Sequence, residues 1–69
     1  IKAKFSRFGQ FLVQYFTEKR SDEEKIGDIV DAAAAEGFDD PQEVNKFLEI
    51  MQRQNKIMYD QNEWTVYII

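Results

Sequence analysis

The stretch of sequence that decides the fold is Asp40–Ile69, which reads DPQEVNKFLEIMQRQNKIMYDQNEWTVYII. It opens with a helix signal, because Asp40 is a favoured N-cap, Pro41 suits the first helical position and Glu43 can complete a capping box. The apolar residues that follow recur at helical spacing and predict a buried stripe: Val44, Phe47, Leu48 and Met51. We expect this helix to end at Asn55-Lys56, since asparagine tolerates the left-handed conformation.

Two short strands are predicted after this helix, at Ile57–Asp60 and Trp64–Ile69, because both segments are rich in branched and aromatic residues. The polar residues 60–63 between them are typical of a hairpin turn. By the two-residue period of a strand, one face is expected to pack on the helices through Trp64, Val66 and Ile68. The outward side chains of the hairpin would then be Tyr59, Thr65 and Tyr67.

An amphipathic helix is predicted at the other end of the chain, from Ile1 to about Glu18. Its apolar stripe has the three-or-four spacing of one helical face: Ile1, Phe5, Phe8, Phe11, Leu12, Tyr15 and Phe16. Gly9 lies on this stripe, where the missing side chain would either allow a close backbone approach or simply weaken the helix.

The start of the second helix has two interpretations. Ser21-Asp22-Glu23-Glu24 can form a capping box, which would start the helix at Asp22 and continue it to Glu36. Alternatively, Lys25-Ile26 forms a very short strand that pairs with the hairpin, and the helix starts at Gly27. The buried side is the same in both: Ile26, Ile29, Val30 and Ala33.

The end of the second helix is clearer than its start. The small residues of Ala32–Ala35 would let another helix pack closely. Gly37 is placed to stop the helix with a left-handed C-cap, and Phe38 is expected to anchor the loop that follows.

Three helices followed by a C-terminal hairpin predict a winged-helix fold. The fold class is mainly α with a small antiparallel sheet of two or three strands, and it would occupy residues 1–69 as one domain. The chain begins at Ile1 rather than methionine, so we expect it to be a piece of a larger protein.

Composition excludes several classes of function. The chain has no cysteine and no histidine, so it cannot build a zinc finger, a thiol nucleophile or a serine or cysteine triad. The paired carboxylates Asp22-Glu23-Glu24 and Asp39-Asp40 fall at predicted helix starts, where acids are expected for capping. No apolar run predicts a membrane span, and the sequence predicts neither catalysis nor a cofactor.

Charge is distributed unevenly. Residues 1–20 carry a net charge of +4, and because the whole chain carries −4, residues 21–69 carry −8. The predicted third helix with its cap, residues 39–54, has four acids against two bases, a net −2. Insertion of that helix between two phosphate backbones would be unfavourable, so the sequence argues against duplex reading. The basic residues near the first helix could contact a DNA backbone or form a solvated face: Lys2, Lys4, Arg7, Lys19 and Arg20.

The candidate binding face is the polar side of the third helix; the outward aromatic residues of the hairpin strands are the alternative. Its residues are expected to contact a protein partner: Gln42, Lys46, Glu49, Ile50 and Arg53. Glu49 and Arg53 are spaced for an i,i+4 salt bridge, which would explain that pair without any partner.

Residues 43–58 and 64–69 resemble the extreme C-terminus of minichromosome maintenance (MCM) replicative helicase subunits, and they are most similar to the third subunit of the eukaryotic hexamer. The likeness lies in an acidic-started helix that runs into Asn55-Lys56-Ile57-Met58 and then into an apolar terminal strand. Residues 21–35 and the aromatic first helix are similar to the rest of the same winged-helix domain.

The resemblance implies a non-catalytic regulatory module of an ATP-dependent DNA helicase subunit, acting within a hetero-hexamer in the nucleus. It also implies a partner, the origin loader made of the origin recognition complex and its Cdc-type ATPase. Helicase motifs would lie upstream of Ile1. The alternative function is weak, non-specific contact of this domain with duplex DNA.

Overall fold

The computed structural model describes residues 2–69, so the predicted apolar position Ile1 lies outside the described residues. Six elements follow one another along the chain: α1 (Lys2–Lys19), β1 (Glu23–Lys25), α2 (Ile26–Ala35), α3 (Pro41–Arg53), β2 (Ile57–Asp60) and β3 (Thr65–Ile68). The predicted three helices and C-terminal hairpin are therefore confirmed, and a short first strand is added to them.

All three helices end in the same way. The residue after each C-cap has a left-handed backbone, with φ of 52° at Arg20, 97° at Gly37 and 60° at Asn55. The next amide then reaches back to the helix, as Phe38 N–H does to the Ala33 carbonyl at 2.8 Å. This is the Schellman arrangement, and it confirms the predicted stops at Gly37 and Asn55.

The second helix begins later than the capping-box interpretation predicted. A strand, Glu23–Lys25, precedes it and pairs with β3, and the Ile26 N–H donates to the Trp64 carbonyl at 2.8 Å. The Ser21 hydroxyl caps no helix, because it accepts from Glu23 N–H at 3.1 Å and donates to the Glu23 carbonyl at 2.6 Å. The alternative with a short strand is correct in kind, although the strand starts two residues and ends one residue earlier than predicted, and the helix starts at Ile26 rather than Gly27.

The three strands form an antiparallel sheet in the order β1-β3-β2. Alternation along the strands places Ile57, Tyr59 and Val66 on the inner face, against the helices, and these side chains are buried. The outer face carries the cross-strand row Glu23–Tyr67–Met58, since Tyr67 pairs with Glu23 on one side and with Met58 on the other.

Several predictions about the hairpin faces are wrong. Tyr59, expected to point outward, is only 8 % exposed, because it lies two residues after the buried Ile57 and points to the same inner face. Trp64, expected to pack on the helices, is 59 % exposed and precedes β3 in a left-handed conformation that ends the strand alternation. Val66 is buried as predicted, whereas Ile68, expected to pack on the helices, is 36 % exposed, and Thr65, expected to point outward, is buried.

Side chains cover both edges of the sheet. On β1 the Ser21 hydroxyl engages the amide and carbonyl of Glu23, and on β2 the Tyr59 N–H donates to Gln52 Oε1 at 2.7 Å. Uncovered edges invite pairing with another strand. These contacts therefore disfavour addition of a partner strand to this sheet.

The core lies between the three helices and the sheet. Its buried side chains include most of the predicted stripes: Phe8, Leu12, Phe16, Ile26, Ile29, Ala33, Phe38, Val44, Phe47, Leu48, Met51, Ile57, Tyr59 and Val66. A Cβ at Gly9 would meet no atom within 4 Å, so this glycine does not serve a close backbone approach. Of the alanine run, Ala33 alone is fully buried.

Leu48→Ala should lower the free energy of unfolding by about 2–5 kcal/mol, because the Leu48 side chain is 0 % exposed and its removal leaves a cavity. Denaturant unfolding followed by circular dichroism measures the change. Val13→Ala, at a position 61 % exposed, is the control and should change stability by less than about 0.5 kcal/mol. Equal effects of the two variants would contradict the assignment of Leu48 to the core.

Candidate functional site

The outward face of α3 carries the five predicted partner-binding residues. Gln42, Lys46 and Arg53 are exposed, whereas Glu49 and Ile50 are partly buried. The helical repeat places Glu49 and Ile50 on opposite flanks of this face. The structure thus brings the five residues to one surface, and the amide of Gln42 is held by the predicted N-cap, since Asp40 Oδ1 accepts it at 3.0 Å.

One flank of α3 is joined to β2 through polar side chains. The Tyr59 hydroxyl donates to Asn45 Oδ1 at 2.8 Å, and Gln52 Oε1 accepts the Tyr59 N–H. Burial, and then the charge of Glu49, raises the pKa of Tyr59 above its ordinary value. Asn45 and Gln52 therefore fix the sheet to α3, a role that the sequence analysis did not predict. The sequence did hold a clue, because Ile57 and Tyr59 are two residues apart in a strand and so point to the same, buried face.

The other flank of α3 is joined to α1. Lys4 Nζ lies 2.6 Å from Glu43 Oε1, in an ion pair that lacks the angles of a hydrogen bond. Glu43 therefore pairs with Lys4 of α1. The side chain of Glu43 does not complete the predicted capping box with Asp40. Because both side chains are about one-third exposed, the ion pair contributes at most about 1 kcal/mol.

Two further cations of α1 lie on aromatic rings. The Arg7 guanidinium is 5.5 Å from the centroid of the Phe38 ring, and Lys19 Nζ is 5.5 Å from that of Tyr15. Cation–π contacts of this length are attractive. Three of the five basic residues considered for DNA contact are thus engaged within the domain.

The predicted Glu49–Arg53 salt bridge is not formed. Among the side chains of residues 3–69, the ion pair found within 4 Å is that of Lys4 and Glu43. Arg53 therefore extends into solvent at the end of the α3 face, where a partner can reach it.

Over the part of the chain that the structure describes, no group of three or more acidic side chains is placed to hold a metal ion. Within the same residues, no helix is both long and apolar enough to cross a bilayer. What α3 presents is a mixed polar and apolar surface suited to binding.

Three helices with a three-stranded antiparallel sheet, whose last two strands form a hairpin beside α3, define a winged-helix domain. Its family is also established. The family model described as "MCM3-like, winged helix domain" matches residues 2–69, and the chain belongs to that family. Among curated proteins and among solved structures, none matches the chain.

Tyr59→Phe should lower the free energy of unfolding by about 0.5–1.5 kcal/mol at neutral pH, because the hydroxyl that binds Asn45 is lost. Thermal unfolding measures this. Tyr67→Phe is the control, since within residues 3–69 no hydrogen-bond partner of its hydroxyl is seen, and it should have little effect.

The same variant has a pH signature. The folded-state pKa of Tyr59 lies above its unfolded value of about 10, so stability is full below pH 10 and falls as pH rises through the folded-state pKa. Tyr59→Phe should reduce that alkaline loss. A loss of equal slope in the variant would contradict the raised pKa.

Proposed function

We propose that this domain is a protein-docking module, and that the partner contacts the outward face of α3 through Gln42, Lys46, Glu49, Ile50 and Arg53. The observation that carries the proposal is that this face combines the partly buried aliphatic residue Ile50 with the exposed polar and charged residues Gln42, Lys46 and Arg53. A mixed surface of this kind is typical of transient protein interfaces.

Charge supports a protein partner over DNA. The segment 39–54 carries a net charge of −2, and three cations of α1 are engaged with Glu43, Phe38 and Tyr15. Duplex binding depends on concentrated positive charge, because neutralisation of phosphates supplies most of the affinity. The exposed cations of α3, Lys46 and Arg53, lie on a segment of net negative charge and form no concentrated positive face.

Membership of the MCM3-like winged helix family supports a more specific proposal. The domain would act without catalysis in a subunit of an MCM hetero-hexamer, in the nucleus. It would dock that helicase onto the origin loader, the origin recognition complex with its Cdc-type ATPase, during replication licensing.

Non-specific duplex contact is the second candidate. Lys46 and Arg53 are both exposed and lie seven residues apart, on the same side of α3, so they could touch neighbouring phosphates. Such contact would weaken steeply with added salt.

Ile50→Glu or Arg53→Glu should reduce capture of purified loader by the chain at least about tenfold, because each change removes an aliphatic or cationic contact and places a carboxylate in the proposed interface. Capture is measured by pull-down, with circular dichroism to show that the fold is kept. Val13→Glu on α1, at an exposed position away from α3, is the control and should capture loader normally.

Unchanged capture by both variants would contradict the choice of face. Titration with a short DNA duplex at low and moderate salt tests the second candidate. Salt-sensitive binding that Lys46→Ala and Arg53→Ala both weaken would favour DNA contact over protein docking.

A further inference from the structure

The turn between β2 and β3 holds a tryptophan in an unfavourable backbone conformation. Trp64 has φ of 52° and a side chain that is 59 % exposed. Glycine or asparagine normally occupies such a position, since a bulky side chain is strained there. Strain at an exposed aromatic residue is a reason to look for function.

The fold itself does not require the indole ring. Asp60 Oδ1 shapes the turn by accepting the amides of Asn62 at 3.0 Å and Glu63 at 3.2 Å. The structural contact of Trp64 is made by its carbonyl, which accepts the Ile26 N–H and which any residue supplies. An exposed ring at this position is therefore available to a partner.

The neighbouring outer face of the sheet is also partly apolar. Met58 is 56 % exposed, and it pairs across the strands with the half-buried Tyr67. Exposed aromatic residues and methionine are enriched in protein interfaces. We use the name sheet surface for Met58 and Tyr67 on the outer face, for Trp64, which directly precedes β3, and for the acids Glu23, Asp60 and Glu63.

Three acids surround this apolar centre: Glu23, Asp60 and Glu63. Glu23 pairs with Tyr67 across β1 and β3, and Asp60 pairs with Thr65 across the hairpin, two residues from Tyr67 on the same strand. Burial, and then the charges of Glu23, Glu63 and Asp60, raise the pKa of Tyr67. The one cation of the adjoining strand, Lys25, is directed to the Glu63 carbonyl at 3.4 Å and to Thr65 Oγ1 at 3.2 Å. The sheet surface is therefore acidic around an apolar centre.

We propose that the sheet surface is a second docking site, which takes a basic polypeptide segment. A lysine or arginine of the segment lies against the Trp64 ring and the carboxylates, and an aliphatic neighbour packs on Met58. Side chains already bond Glu23 at the β1 edge and the Tyr59 amide at the β2 edge, which disfavours an added strand, so the segment is proposed to cross the face. This site goes beyond the proposed function and uses none of the α3 residues.

The carboxylates decide the kind of partner. A phosphate backbone or an anionic lipid surface would be repelled by Glu23, Asp60 and Glu63, whereas a basic segment would be attracted. The attraction between exposed charges should weaken as salt is raised.

The test selects peptides from a random-sequence display library against the 69-residue chain and measures their affinity by titration. We expect the selected peptides to combine arginine or lysine with aliphatic residues. In nuclear magnetic resonance spectra they should shift the Trp64 indole N–H and the amides of Met58 and Tyr67. Selection of acidic peptides, of none, or of peptides that shift other residues would overturn the proposal.

Trp64→Gly separates binding from folding. Glycine accepts the left-handed backbone, so the melting temperature should be equal or higher, while Kd for the selected peptides should rise about tenfold or more. Val13→Ala, at a position as exposed as Trp64, should leave Kd unchanged. Unchanged affinity of Trp64→Gly would overturn the assignment of the ring.

Two double variants test whether the carboxylates of the sheet surface contribute to peptide binding. Glu23→Gln with Glu63→Gln should weaken binding and reduce its dependence on salt, whereas Asp31→Asn with Glu36→Gln, which alters exposed acids of the α2 region, should not. Ile50→Glu should bind the peptides normally, which keeps this site distinct from the α3 face. Binding of a DNA duplex or of anionic vesicles through Trp64, or self-association lost in Trp64→Gly, would replace the proposal.

Discussion

The structure depends on the burial of one aromatic ring, that of Phe8. This ring is fully buried and lies 5.3 Å from Phe47 of α3 and 5.4 Å from Phe38 of the preceding loop, measured between centroids. A domain of this size without disulfides has little reserve of buried surface, so one contact that joins α1, the loop and α3 carries a large share of the core. The Schellman end of α2, closed by Gly37, brings Phe38 to that position.

Attachment of the sheet to this helical core follows from a second set of contacts. Val66 and Ile57 supply the apolar part, and Tyr59 adds hydrogen bonds to Asn45 and Gln52 of α3. The two kinds of contact have different consequences. Apolar burial holds the sheet against the helices, whereas the directional hydrogen bonds fix how β2 lies along α3 and cover its free edge.

These constraints leave two surfaces of different chemistry. The α3 face is mixed in charge and includes one aliphatic residue, Ile50, whereas the sheet surface is acidic around Trp64 and Met58. Some cations of α1 contact other residues of the domain, such as Lys4, which pairs with Glu43. They therefore do not form a continuous basic patch. For a member of the MCM3-like winged helix family, this division favours the recognition of polypeptides on both surfaces.

The sequence by itself determined the elements and the parts of the core that repeat with a helical period. The N-cap at Asp40 and the left-handed stop at Gly37 were readable because caps depend on residues close in the chain. Tertiary structure decided what depends on distant partners. Residues 23–25 became a strand because β3 offered a free edge, and Trp64 left the core because a left-handed turn residue reversed the expected alternation. Neither the strand pairing nor the sign of φ at Trp64 is encoded in local periodicity, so the sequence predicted an outward Tyr67 but not the exposure of Trp64.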